Sequence, residues 1–186
     1  MRDIFVRKAP FMARIMCTQK LWRALGHVGQ PPVQVPEAPV IGATLGSWAL
    51  KLFHHNRKGL VLALNDRTYL TLVFAAAPRD GFRSRFVGAL RNALEDLRVP
   101  RATVDQEATA LDVLPLARLT NRSMTGSLND LEFLCRCELD YITDLRRVQW
   151  NLNEVPHVRR EPSVPIAAVK QFFSAVPRQR ATERIH

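Results

Sequence analysis

Three short apolar runs, set within residues 47–74 and separated by turn-forming residues, constrain this chain more than any other feature. Ser47-Trp-Ala-Leu-Lys-Leu-Phe-His54 alternates, which places Trp48, Leu50 and Leu52 on one face of a strand. Asn56-Arg-Lys-Gly59 reads as a turn. Leu60-Val-Leu-Ala-Leu64 is apolar throughout, as a central strand requires. Asn65-Asp66 supplies a second turn, and Tyr69-Leu-Thr-Leu-Val-Phe74 completes an antiparallel meander. Such a sheet must bury its apolar face against something else.

Helices are the expected cover. Phe82, Phe86, Leu90, Leu94 and Leu97 recur at spacings of four, four, four and three, which predicts a helix over 82–97 that Pro100 ends. Residues 102–111 read as a second helix. Val113 to Leu119 reads as a strand that Pro115 confines to an edge or a bulge. Thr120 to Asp130 reads as a polar loop leading into a helix over 128–145, with Ser127 as its cap. Near the start, 13–17 suits a short strand, and Thr18 caps a helix over 19–25 that Gly26 ends. Four prolines within 30–39 forbid a helix there and favour an extended connector.

The expected fold class is α+β: an antiparallel sheet of about four to five strands packed against two to three helices. A flexible basic C-terminal tail follows. The expected organisation is an N-terminal extension over 1–11, a domain over 12–150, and a proline-punctuated tail over 151–186 with a docking segment at 166–173.

The charge balance bears on partners. The chain has 186 residues, with 27 Lys and Arg against 17 Asp and Glu, a net charge of +10. Long-range attraction draws such a chain to nucleic acid or to acidic protein surfaces. No apolar run approaches the roughly 20 residues of a bilayer span, so no membrane partner is expected. The first residues lack a secretory pattern, so a cytoplasmic location is expected. Cys17, Cys135 and Cys137 are read as three reduced thiols, because Cys135 and Cys137 point to different sides of a helix.

No catalytic signature emerges. The serines lack a nucleophile-elbow setting, there is no glycine-rich phosphate loop, and the five histidines form no metal-type pair. An enzyme is therefore left open but unsupported, with the balance toward a protein without catalysis, and no cofactor and no metal are expected. Two polar or apolar segments remain as binding candidates. In the 120–130 loop, Asn121, Arg122, Ser123 and Asn129 either cap the next helix or hold an anion at its start, with Arg122 clamping a phosphate. In the tail, Ile166, Val169, Phe172 and Phe173 lie on one side of a short amphipathic helix, which either docks on its own domain or fills a partner's groove. Leu50, Leu52 and Phe53 carry a similar Leu-x-Leu-Phe pattern, but within a strand, where the same pattern fills a core.

Cys17-Thr-Gln-Lys-Leu21, Leu45-Gly-Ser-Trp48, Thr120-Asn-Arg-Ser123 and Gly126-Ser-Leu-Asn-Asp130 together resemble an uncharacterised bacterial domain family, over about residues 13–145. In size, and in its clamp-type segments at 50–53 and 166–173, the chain also resembles toxins of the SocB type. That resemblance implies a toxin of a toxin–antitoxin pair that blocks replication by occupying the peptide groove of the DNA polymerase sliding clamp. It also implies a cognate antitoxin that delivers the toxin to a protease. The alternative is a basic nucleic-acid-binding protein or ribonuclease toxin that uses the 120–130 loop, helped by Arg83, Arg85 and Arg91.

Overall fold

The computed structural model describes residues 13–27, 45–157 and 161–175. In chain order the elements are β1 (Ile15–Cys17), α1 (Gln19–Ala24), β2 (Trp48–His55), β3 (Lys58–Asn65), β4 (Thr71–Ala75), α2 (Phe82–Asp96), α3 (Arg101–Val113), β5 (Leu116–Arg118), α4 (Arg122–Leu139), α5 (Leu145–Glu154) and α6 (Pro165–Ala175). The extension over 1–11, the connector over 30–39 and the last eleven residues of the expected tail lie outside the described residues.

The five strands form one sheet in the order β4-β3-β2-β1-β5. The meander is as the pattern predicts: β2 pairs antiparallel with β3 and β3 with β4. The sheet as a whole is mixed, which corrects the expectation of an antiparallel one. β1 runs parallel to β2 on one side and to β5 on the other. Its three residues contribute only Ile15 and Cys17 to the core, and alternation is the same whichever way a strand points.

Helices cover both faces. Trp48, Leu50, Leu52, Val61, Ala63, Leu72 and Phe74 face a core shared with α1, α2 and α3. Ala49, Phe53, Leu60, Leu62, Leu64 and Val73 face the opposite way, against α4 and α5. The predicted stripe of α2 is buried at Phe82, Phe86, Leu90 and Leu94. Phe86 stacks on Phe74 at 5.4 Å and meets Trp48 edge-on at 5.5 Å. Each fully buried leucine in these layers contributes about 2 kcal/mol relative to exposure.

The turns follow from backbone chemistry. Asn56 and Arg57 both take positive φ, 45° and 63°, as a two-residue hairpin between right-twisted strands demands. Asn65, 0% exposed, organises the next turn. Its Oδ1 accepts from the backbone N–H of Arg67 and Thr68, and its Nδ2 donates to the carbonyl oxygens of Leu45 and Ser47. Ser47 Oγ in turn accepts from Arg14 N–H, and Glu107 accepts from Leu45 N–H. The Leu45-Gly-Ser-Trp48 motif thus ties β1, β2, α3 and the Asn65 turn together.

Further expectations change. α4 begins at Arg122, not Leu128, so the segment read as a polar loop is helix. Asn121, not Ser127, is the cap, accepting from Met124 N–H at 3.2 Å. Ser123, Thr125, Gly126 and Ser127 are weak helix formers, but Met124, Leu128, Leu131 and Cys135 bury a continuous stripe that overrides them. The helix then stops at Leu139, and Asp144 caps a new one, α5, through a bond from Arg146 N–H. Thr18 stands at the start of α1, yet its hydroxyl makes no capping bond. Finally, the body does not end at residue 150. α5 continues to Glu154, and α6 packs on the core with Val169 at 0% exposure. Apolar side chains at 166, 169, 172 and 173 keep this stretch against the body despite its prolines.

Candidate functional site

The residues expected to dock on a partner are largely consumed by the core. Leu50 and Phe53 are 0% and 1% exposed and Leu52 is 8% exposed, on opposite faces of β2. Val169 is sealed, and Ile166, Phe172 and Phe173 are half-buried against the same core. Phe172 and Phe173 pack edge-to-face on one another at 5.3 Å, and Phe172 also lines an open cleft with Tyr69, Gln171 and Glu161.

The residues expected to hold an anion are not gathered into a pocket. Asn121 spends its side-chain oxygen on the cap. Arg122 and Ser123 are exposed on the first turn of α4. Asn129 lies two turns further on and accepts a bond from Lys51 of β2. Lys51 also pairs with Glu132, which Arg136 grips at 2.7 Å. Arg136 donates as well to the carbonyl of His54 and lies over the Phe53 ring at 5.3 Å. Burial pushes the Glu132 carboxyl up, but hydrogen bonds from Lys51 and Arg136 outweigh it and hold the group below its ordinary value. This cluster fastens α4 to β2.

The three supporting arginines are likewise committed. Arg83 donates to the carbonyls of Leu111 and Leu114 at the end of α3. Arg85 donates to the carbonyls of Ala75, Ala76 and Pro78. Arg91 pairs with Asp105 across α2 and α3. Arg146 of α5 pairs with Asp96 of α2.

Other cations stay uncommitted, and several meet at one corner. Lys20 of α1 reaches the hairpin end of β2, with its Nζ 3.4 Å from His54 Nδ1. The His54 ring borders Gly59, next to the exposed hairpin residues Arg57 and Lys58. Just past the C-terminal end of α1, the Arg79 guanidinium lies against Gly26, which has φ +83° and leaves the room that a side chain would fill. Arg23 is exposed one turn after Lys20. Among the described residues, none of Lys20, Arg23, Arg57, Lys58 and Arg79 is paired with a carboxylate; Asp80 is the neighbouring acid. In the sequence Arg57 and Lys58 read only as turn residues, because their nearness to Lys20 arises only when α1 packs beside the hairpin.

Among the described residues, no group of three His, Cys, Asp or Glu is placed to hold a metal ion, and no helix is long and apolar enough to cross a membrane. Burial pushes the Cys17 and Cys135 thiols up to about 12, so both stay protonated at neutral pH, while Cys137 is exposed.

Fold and surface together define an α+β protein with a mixed five-stranded sheet between helices and a corner of unpaired cations. The chain belongs to the family of the domain of unknown function DUF6933, whose model matches residues 14–167. The match extends past α5 to the start of α6. No curated protein matches it.

Proposed function

We propose that this protein is a non-enzymatic nucleic-acid-binding protein that grips the phosphate backbone with Lys20, Arg23, Arg57, Lys58 and Arg79. The observation that carries the reading is the sorting of cations. Arg83, Arg85, Arg91, Arg136 and Arg146 are spent on carbonyls and carboxylates of the fold, whereas this corner keeps its charge. The Asn56-Arg57 turn supports it further, because a non-glycine residue at φ 63° places a charged side chain at a hairpin tip where glycine is the easier choice. Among the described residues, the exposed large apolar side chains, Val113, Phe133, Tyr141 and Trp150, lie on other elements, so contacts at the corner are to phosphate and carry no sequence preference.

The experiment is fluorescence anisotropy with a labelled duplex and a labelled single strand in 50 mM salt. Arg57→Glu with Lys58→Glu should abolish binding. Arg101→Glu with Arg147→Glu, the same charge change at exposed sites elsewhere, should leave most of it. Equal loss in both variants would reduce the effect to net charge and refute the corner.

The sliding-clamp toxin is the second reading. Its support is the partial exposure of Phe172 and Phe173 on α6, together with the resemblance of that segment to clamp-binding peptides. It requires α6 to leave the core and expose Val169, and that cost places it second. A clamp pull-down that survives Phe172→Ala with Phe173→Ala would end it.

A further inference from the structure

The surface of α4 that faces away from the sheet has a chemistry opposite to that of the basic corner. Phe133 is 68% exposed, Tyr141 is 91% exposed, and Cys137 between them is exposed. Spacings of four and four place the three on one line, about 12 Å long at the helical rise. Tyr141 continues the line past the helix end, since its N–H still bonds the Glu138 carbonyl.

Acids rim this line. Residues 130–144 hold five carboxylates and one arginine, a net −4 within a chain of +10. The arginine, Arg136, is 41% exposed but engaged, its guanidinium bonded to Glu132 and to the His54 carbonyl. Glu132 is neutralised by Arg136 and Lys51, and Glu138 accepts from Asn151. Asp130, Asp140 and Asp144 are exposed along the stripe and at its far end. The His55 ring faces Asp140 at 3.6 Å.

We propose that this stripe is the docking surface for a basic amphipathic helix of a partner protein. Apolar residues of that helix would cover Phe133 and Tyr141, and its flanking lysines or arginines would meet Asp130, Asp140 and Asp144. Charge selects this occupant over two others. A second copy packed antiparallel would set Asp130 against the partner copy's Asp144, like charge on like. A nucleic acid would bring phosphates onto a segment of net −4. The inference uses no residue of the basic corner and stands apart from the nucleic-acid reading.

The test titrates the full chain, by calorimetry, with a synthetic sixteen-residue amphipathic helix carrying leucines on one face and lysines on the other. A counterpart with glutamate for lysine is the control. The lysine peptide should bind and the glutamate peptide should not. Phe133→Ser with Tyr141→Ser should weaken binding by about tenfold or more without moving Tm, because both side chains are exposed. Asp130→Lys with Asp140→Lys, which spares the Asp144 cap of α5, should weaken it comparably. Absence of binding, binding indifferent to the aromatic pair, or a dimer of the free chain that Phe133→Ser dissolves would each overturn the proposal.

Discussion

Asn153 and Thr71 exchange two hydrogen bonds at the open edge of the sheet. Asn153 Oδ1 accepts from the Thr71 N–H and its Nδ2 donates to the Thr71 carbonyl, both at 2.7 Å. One turn earlier on α5, Gln149 Oε1 accepts from the Val73 N–H at 3.0 Å. These side-chain amides stand where a further strand would pair. They satisfy the Thr71 N–H and carbonyl and the Val73 N–H of β4, and so cover part of an edge that would otherwise template association. α5, whose Asn153 lies beyond the expected end of the domain, is therefore part of the sheet's own hydrogen bonding.

Asn153→Ala leaves the Thr71 N–H and carbonyl buried without partners. The expected cost is about 3 kcal/mol, which at this size lowers Tm by about 6–12 °C. Urea unfolding and a thermal scan measure it. A variant as stable as the parent would show that the amide pairing is dispensable.

Val169→Ala distinguishes an integral α6 from an accessory one. Val169 is fully buried, so truncation should cost about 2 kcal/mol in a single cooperative transition. An unchanged midpoint would mean that α6 contributes nothing to the fold, and would favour its use as a docking peptide.

Thiol counting tests the packing of α4 and β1. In the native protein Cys137 should react rapidly with a maleimide, while Cys17 and Cys135 react only after unfolding. Their pKa of about 12 leaves almost no thiolate at pH 8. Rapid labelling of two or three thiols in the native state would contradict the burial described here.

Glu132 links stability to pH. Its folded pKa lies below its ordinary 4.5, so its contribution is complete above that value and is lost as pH falls through the folded value. Glu132→Gln should therefore be less stable than the parent above about pH 5, by no more than about 1 kcal/mol given its part exposure, and the gap should close as pH falls through the folded pKa. A difference that grows toward acid would reverse the assignment.

What the chain disclosed, it disclosed through local pattern. Alternation at 48–54, the apolar run at 60–64 and the stripe from Phe82 to Leu97 read directly into β2, β3 and α2. The direction of β1 stayed hidden because its three residues alternate identically either way. The start of α4 stayed hidden because a run of serine, threonine and glycine disfavours helix locally, and burial of Met124 and Leu128 decides it from afar. The basic corner was the least legible part. Which arginines keep a free charge depends on pairings such as Arg146 with Asp96, 50 residues apart, and with Leu111 and Leu114 for Arg83. Those exist only in the folded chain.

The salt dependence of duplex binding decides whether the corner grips phosphate. If the five corner cations contact phosphates, the plot of log affinity against log salt should have a slope of about −4 to −5, and Arg57→Ala with Lys58→Ala should reduce it by about 2. A flat dependence, or a slope that this double substitution leaves unchanged, would contradict it.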